Sequence, residues 1–486
     1  MKAIVVLIDT LRRDHLGFYG NKWIQTPNLD RFAARSVVFD NAYVGSYPCM
    51  PARRELFTGR YEFPWRGWGP LEDNDADIAS ILQTADIPSM LITDHFHLWE
   101  RGSGNYHFAF TGFEFIRGQE NDFWITDPDI KIEYPAAKEK LAKHIKQGGF
   151  ERYARNIAFR KTERDYFAPL VFQTAIDWVE RNRNHKDFFL MIDCFDPHEP
   201  FDPPFPYNQM YNPGYKGDQV IWPNYGYCDL SPEELNQVRA LYAGEVTMTD
   251  RWLGFFLDKV EQLGLMEDTM IVICTDHGHM FGEHGLMGKP WSAMADSNLY
   301  QEIAHIPLMV YHPKLETPGK RISKLVQIVD VFPTVLEALH IPIPDNIHGK
   351  SLLPYVLNSG ESTTIREYAC YGRYGEAINI TDGEWTLFLW PPTEANNPLY
   401  WYSPRPPKFH VEKVIGPYEN GRYPCEVPRG HSRSALYNVK DDYQQQRNLI
   451  DEEPGVVRRL VNGLKDFIAS IGAPREQLVR LGISER

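Results

Sequence analysis

The chain has 486 residues, with 51 Lys+Arg against 65 Asp+Glu and a formal net charge of −14. Hydrophobic residues make up 43% and charged residues 24%, the balance of a globular protein rather than a disordered or membrane-spanning one. The acidic excess argues against a general nucleic-acid binder, which needs a basic face, and six cysteines in so long a chain are too few for a disulfide scaffold. The first element is the apolar run Ala3–Ile8, which follows Met1-Lys2 and stops at Asp9. It is shorter than the roughly 7–15 residues of a secretory apolar region, so it reads as a buried strand. No later run approaches the roughly 18 apolar residues of a membrane span. The expectation is a cytoplasmic protein without a membrane partner.

Thr26 before Pro27 suits an N-cap followed by proline at the first helical position, which starts a helix over 27–36. Further along, the pattern predicts helix 78–86, strand 88–92, helix 166–182, strand 188–195, helix 231–263, strand 269–274 and helix 330–340. Such alternation predicts an α/β domain around a large, mostly parallel sheet flanked by helices. Asp9, Asp94, Asp196 and Asp276 each fall just past a predicted strand, where such sheets gather their functional groups. After about residue 360 the texture changes. Strand-like pieces at 376–380 and 384–390, a Pro-rich stretch at 391–407 and an amphipathic helix at 454–470 predict a smaller α+β unit. The expected division is a catalytic domain over 1–365 and a C-terminal subdomain over 366–486. Lys138–Arg164 carries nine Lys/Arg and three Glu, a local charge of +6. It reads as a solvated helical hairpin, or as a lip that steers an anionic substrate.

The segment Cys49-Met50-Pro51-Ala52-Arg53 is a C-x-P-x-R motif, and it continues into Leu56-Phe57-Thr58-Gly59-Arg60. A phosphatase thiolate loop is excluded, because the position six places after Cys49 is Glu55 rather than Arg. The plain structural alternative is a buried thiol before a helix with Pro51 in its first turn. More stretches accompany the motif: Ile8–Gly20, Thr26–Asp30, Thr93-Asp94-His95-Phe96-His97, Phe195–Phe201, Thr275-Asp276-His277-Gly278, Glu283–Lys289, Asp330–Thr334, His348–Leu352, Leu436–Asn438 and Arg447–Leu449. In residues and in order they resemble the type I, formylglycine-dependent sulfatases of the alkaline-phosphatase-like superfamily, over nearly the whole chain. The sequence departs from that pattern at Ala52 (often Ser), Thr10 (often Asp), His95 (often Lys) and His277 (often Asn).

The resemblance implies an alkaline-phosphatase-like fold and hydrolysis of an organic sulfate ester, a sulfated saccharide or an aryl sulfate. It implies that Cys49 becomes formylglycine through a formylglycine-generating or anaerobic sulfatase-maturating enzyme. The hydrated aldehyde then attacks sulfur with one hydroxyl and expels sulfate through the other. Asp9, residue 49, Asp276 and His277 would hold a divalent cation. Calcium is preferred by family, and manganese or a similar ion is the alternative because imidazole suits transition metals. Arg53 would hold the nucleophile and neutralise charge. His97 would take a proton from formylglycine, His95 would bind the anion, and His198 and Lys289 would bind substrate and protonate the leaving alcohol. Two other functions remain open at this point. One is a phosphonate monoester or phosphodiester hydrolase using the same residues; the other is a non-catalytic sugar-binding pseudoenzyme. His277, His279 and His284 do not form a His-Glu-x-x-His zinc helix. The loops 99–165 and 202–228 are expected to select the substrate, and the oligomeric state is not readable.

Overall fold

The run that follows Lys2 lies in the middle of an eight-stranded sheet. From one edge its strands are Arg321–Gln327, Val37–Tyr43, Leu308–Tyr311, Thr269–Cys274, Lys2–Ile8, Phe189–Cys194, Ser89–Thr93 and Gly112–Phe115. Leu308–Tyr311 is antiparallel to both neighbours, and the other pairings are parallel. The computed structural model describes residues 1–100, 103–132, 148–357, 364–407 and 413–484.

The central strands are almost wholly apolar, interrupted by Lys2, Asp193 and Thr269, because both faces are covered. Ala3, Val5 and Leu7 enter one core and Ile4, Val6 and Ile8 the other. The same split separates Phe189 and Met191 from Leu190 and Ile192, and Met270, Val272 and Cys274 from Ile271 and Ile273. Against the first face lies the helix Cys49–Thr58, every residue of which is buried. Against the other face lie the helices Phe167–Asn182 and Pro232–Gln262. The second of these starts with Ser231 capping Glu234 N and Pro232 at its first position.

The strands predicted at 3–8, 88–92, 188–195 and 269–274 are all present, with ends moved by a residue or so. The sequence reading did not include Val37–Tyr43, Gly112–Phe115, Leu308–Tyr311 and Arg321–Gln327. These sit toward the sheet's margins, are short or carry polar residues such as Asp40, Asn41 and Lys324, and so lack a continuous apolar run. Of the basic segment 138–164, residues 138–147 lie outside the described residues. The remainder contains the helix Gly149–Asn156 and Arg160, whose side chain is 6% exposed, donates to Asp202 Oδ2 (2.8 Å) and lies 4.2 Å over Tyr166 and 4.4 Å over Phe167.

A second sheet is built from Ala369–Arg373, Ile378–Thr381, Trp385–Leu389 and Ala435–Asn438. Its edge is completed by Ser46–Tyr47, which pairs in parallel with Gly372–Arg373. The helix Pro454–Ser470 buries Leu460, Leu464 and Ile468 against Ile378, Ile380 and Leu387. Among the described residues no helix is long and apolar enough to cross a membrane.

Candidate active site

Side chains alternate along a strand, so the parity of the core continues past the strand ends. Asp9, Asp193 and Asp276 share the parity of Leu7, Met191 and Cys274, all of which face the helix Cys49–Thr58. Register aligns them further, since Leu7 is opposite both Asp193 and Cys274. Arg53, one helical turn after Cys49, meets all three carboxylates. It is fully buried, donates through Nε and Nη2 to Asp193 (2.8 and 2.6 Å), through Nη1 to Asp276 Oδ2 (2.8 Å) and through Nη2 to Asp9 Oδ2 (2.9 Å). Burial opposes its charge, but the three carboxylates hold its pKa well above the ordinary value. Burial likewise works against the Asp9 carboxylate, but Arg53 together with His95, His198 and His277 outweighs it, so Asp9 is held well below the usual range.

The turn after Asp9 is fixed in an unusual conformation. Thr10 has φ +60°, an outlier for a β-branched residue. This turns its N–H to Asp276 Oδ1 (3.1 Å), while its carbonyl accepts from Tyr242 Oη (2.8 Å) and its hydroxyl donates to Asp9 Oδ1 (2.6 Å). Gly278 allows an equally close approach on the other side, since a Cβ there would lie 1.9 Å from the Glu302 carbonyl oxygen.

Asp9, Cys49, Asp276 and His277 each place a ligand-type atom within 4.8 Å of the others. His277 is the informative member. Its Nδ1–H donates to the Gly278 carbonyl (2.8 Å), which leaves the Nε2 lone pair directed at the cluster, 3.2 Å from Cys49 Sγ and 3.5 Å from Asp276 Oδ2. Burial pushes its pKa down, which keeps the ring neutral. Two carboxylates and an imidazole with its tautomer fixed by a backbone acceptor suit a divalent cation. The residues present therefore fit the metal implied by the sequence. Burial, with the Asp9 charge, pushes the Cys49 thiol well up.

A second group lies on loops. Lys289 Nζ donates to His198 Nε2, whose other nitrogen donates to the Glu199 carbonyl (2.7 Å). The Glu199 carboxylate is fully buried, 3.5 Å from Lys289 Nζ and 3.4 Å from His279 Nε2. Burial opposes its charge, but His198 and Lys289 hold it well below the usual range; burial pushes His279 down to about 4. The carboxylate oxygens of Glu199 and both ring nitrogens of His95 and His279 are buried with no hydrogen-bond partner. Such orphaned polar atoms are those a ligand or ordered water would satisfy.

The two histidines of the His95-Phe96-His97 stretch separate. His95 is fully buried, with Nε2 3.5 Å from Asp9 Oδ2, and burial together with Arg53 keeps it neutral. His97 is clasped by Glu100 Oε2 (2.7 Å) and Glu120 Oε2 (3.0 Å). Burial opposes its protonation, yet Glu120 and Glu100 raise it to about 9, so it is an imidazolium at neutral pH. Of the other strand-end acids, Asp94 accepts from Phe195 N (2.8 Å) and Asp196 from Ala168 N (3.0 Å) and Gln119 Nε2 (2.8 Å); both brace loops. The sequence reading missed Asp193, Glu199 and Glu120. A lone Asp inside the apolar run Phe188–Phe195 was a usable signal for the first; nothing local marked the other two.

This arrangement is that of an alkaline-phosphatase-like hydrolase, and comparison gives the family. The sulfatase family model matches residues 2–341, so the chain belongs to the sulfatase family and is a sulfuric ester hydrolase. An arylsulfatase from Clostridium perfringens is 26% identical over 399 residues, 75% of this chain and 80% of that one. Two solved structures share the fold. The phosphonate monoester hydrolase of Agrobacterium radiobacter has a TM-score of 0.68 at 18% identity, covering 97% of this chain and 95% of its own. A protein in complex with its substrate D-glucosamine-2-N,6-O-disulfate has 0.69 at 17% identity, covering 98% and 99%.

Proposed function

We propose that the chain hydrolyses the sulfate ester of a saccharide or aryl alcohol, using a formylglycine made from Cys49 and a divalent cation held by Asp9, Asp276, His277 and residue 49. The observation that carries this is the placement of Cys49 at a buried helix N-terminus, inside the ligand cluster and one turn before the thrice-paired Arg53. A formylglycine-generating or anaerobic maturating enzyme supplies the modification. When formed and hydrated, formylglycine supplies one hydroxyl to attack sulfur and a second to release sulfate as the aldehyde returns. When bound, the cation lowers the pKa of the attacking hydroxyl and withdraws charge from a sulfate oxygen. The fixed Nε2 lone pair of His277 favours manganese or a similar ion over calcium, which prefers oxygen ligands.

The chain's own residues do the rest. Arg53 fixes the spacing of Asp9 and Asp276 and offsets their charge. Lys289 attracts the anionic group, and the Lys289–His198 pair delivers the proton to the departing oxygen. Glu199 keeps Lys289 charged beside it. His95, neutral and unpartnered, is free to accept a hydrogen bond from the hydrated residue 49. His97 is already protonated between two glutamates; its charge, rather than proton abstraction, is what it offers. The organic half of the substrate is accommodated beside it in a cleft of about 470 Å³ walled by Trp68, Trp99 and Trp401. Ring-lined walls of this kind suit sugar or aryl faces.

Phosphonate monoester or phosphodiester hydrolysis is the second reading. It is favoured by the Asp276-His277 pair and by the fold shared with a phosphonate monoester hydrolase. Purified protein co-expressed with a maturating enzyme is assayed on 4-nitrophenyl sulfate and on an aryl phosphonate monoester, with mass spectrometry of the Cys49 peptide. The expected result is conversion of Cys49 and a dominant sulfatase rate that Cys49→Ala removes. A dominant phosphonate rate selects the second reading, and an unconverted but fully active Cys49 overturns both.

A further inference from the structure

Lys289 is carried by a loop, yet the proton transfer assigned to it needs placement to within a fraction of an ångström. What holds that loop comes from the second sheet. Glu376, in the turn between the strands Ala369–Arg373 and Ile378–Thr381, accepts from Ser292 N at Oε1 (2.8 Å) and from Ser297 Oγ at Oε2 (2.8 Å). Arg373, at the end of the first strand, donates through Nη1 to the carbonyl of Pro290, the residue after Lys289 (3.2 Å). Its guanidinium lies 5.5 Å from the Trp291 ring centre and 5.3 Å from that of Tyr47, two residues before Cys49. Tyr47 in turn packs edge-on to His277 at 5.1 Å. Gly372 and Arg373 also pair with Ser46 and Tyr47 as neighbouring strands. Both charged residues are almost wholly buried, with 4% and 3% of their surface exposed, and lie 3.9 Å apart. The Lys289 loop also closely approaches the turn that leads into Ala435–Asn438, at Gly430, where a Cβ would lie 2.0 Å from the Ser292 carbonyl oxygen.

We propose that Arg373 and Glu376 are positioning residues that set the distance between the nucleophile loop and the Lys289 loop. One guanidinium touches the flank of each loop, and one carboxylate pins the second loop at two points. The second sheet thereby acts on the leaving-group step without touching the reacting atoms. This rests on the assignment of Lys289 and His198 to the leaving group.

The test uses an activated ester, 4-nitrophenyl sulfate, and an unactivated one, phenyl sulfate, since only the second needs a well-placed proton donor. Rates are normalised to the formylglycine content of each preparation. Glu376→Ala is expected to lower kcat on phenyl sulfate by roughly 30- to 100-fold and on the activated ester by only about threefold. Glu376→Gln keeps a carbonyl acceptor for Ser292 and an amide for Ser297, and should restore most of the loss. Ser297→Ala removes the bond to Glu376 and a longer 3.4 Å contact with Ser432 Oγ but leaves both charged residues in place, so it should fold even where Glu376→Ala does not, and should show the same selectivity at about two- to fivefold. Equal losses on both esters, or no loss, overturn the proposal. Lys289→Ala is run beside them. If Lys289→Ala lacks the selectivity, the assignment of Lys289 fails; if it shows the selectivity and Glu376→Ala does not, only the positioning role fails.

Discussion

The two halves of the site are held by different kinds of structure. Asp9, Asp193, Asp276 and Arg53 sit where parallel strands end, fully buried, each charge answered by another. Lys289, His198 and Glu199 sit on loops, with contacts of 3.4–3.5 Å around Glu199 and orphaned oxygens. The first half is a part of the core that carries charge. The second is a buried, loop-borne assembly whose geometry is supplied from elsewhere in the chain. Stability should therefore track the first half, and substrate discrimination the second.

The sharpest way to break this contrast is Arg53→Met. It leaves three carboxylates buried without a counter-charge, and removing one partner of a buried pair costs about 3–5 kcal/mol. Loss of cooperative folding or a large fall in the denaturation midpoint is expected, together with loss of turnover. A variant as stable as the parent would show that the carboxylates do not depend on Arg53. Next comes Lys289→Ala, expected to lower kcat on an unactivated sulfate ester by roughly 10²–10⁴-fold, with a melting shift smaller than that of Arg53→Met because one buried carboxylate, Glu199, rather than three loses a counter-charge. A melting shift as large as that of Arg53→Met would erase the distinction between the halves.

The smallest effect concerns neither half. His305 is buried, stacked on Tyr43 at 4.8 Å and bonded to the Asp40 carbonyl (2.6 Å); burial and then Arg13 push it down to about 3. A histidine whose folded pKa is depressed contributes stability that is complete above its ordinary value of about 6.5 and is lost as pH falls toward the folded value. Urea midpoints followed from about pH 7 to about pH 5 should thus fall more steeply in the parent than in His305→Gln. Parallel slopes would show that His305 is not held neutral.

Much of the first half was legible in the sequence, because it depends on local rules. Short apolar runs ending in Asp9 and Asp276 place both acids at strand ends, and the spacing of Cys49 and Arg53 places them one turn apart on one helix. Asp193 obeys the same parity but lies inside a strand, where an acid is easily read as an exception. The second half was legible only in its identities. His198 and Lys289 were found through motif order, whereas Glu199 and Glu376 act through contacts made about 80 or more residues away and Glu120 through one made 23 residues away, none of which a local pattern encodes. His97 is the clearest case. Its type matched a family pattern, but its charge is decided by Glu120, held in place by a loop with no sequence signal.

The parallel pairing of Ser46–Tyr47 with Gly372–Arg373 also sets a clock. During synthesis the segment leading into Cys49 waits for partners 326 residues further along the chain. At roughly 5–20 residues per second that wait lasts on the order of 16–65 s. Cys49 ends 4% exposed, so the maturating enzyme proposed for it would have to act before the fold closes over its side chain. Slowing translation between residues 49 and 372 should therefore raise the fraction of modified protein, and accelerating it should lower that fraction.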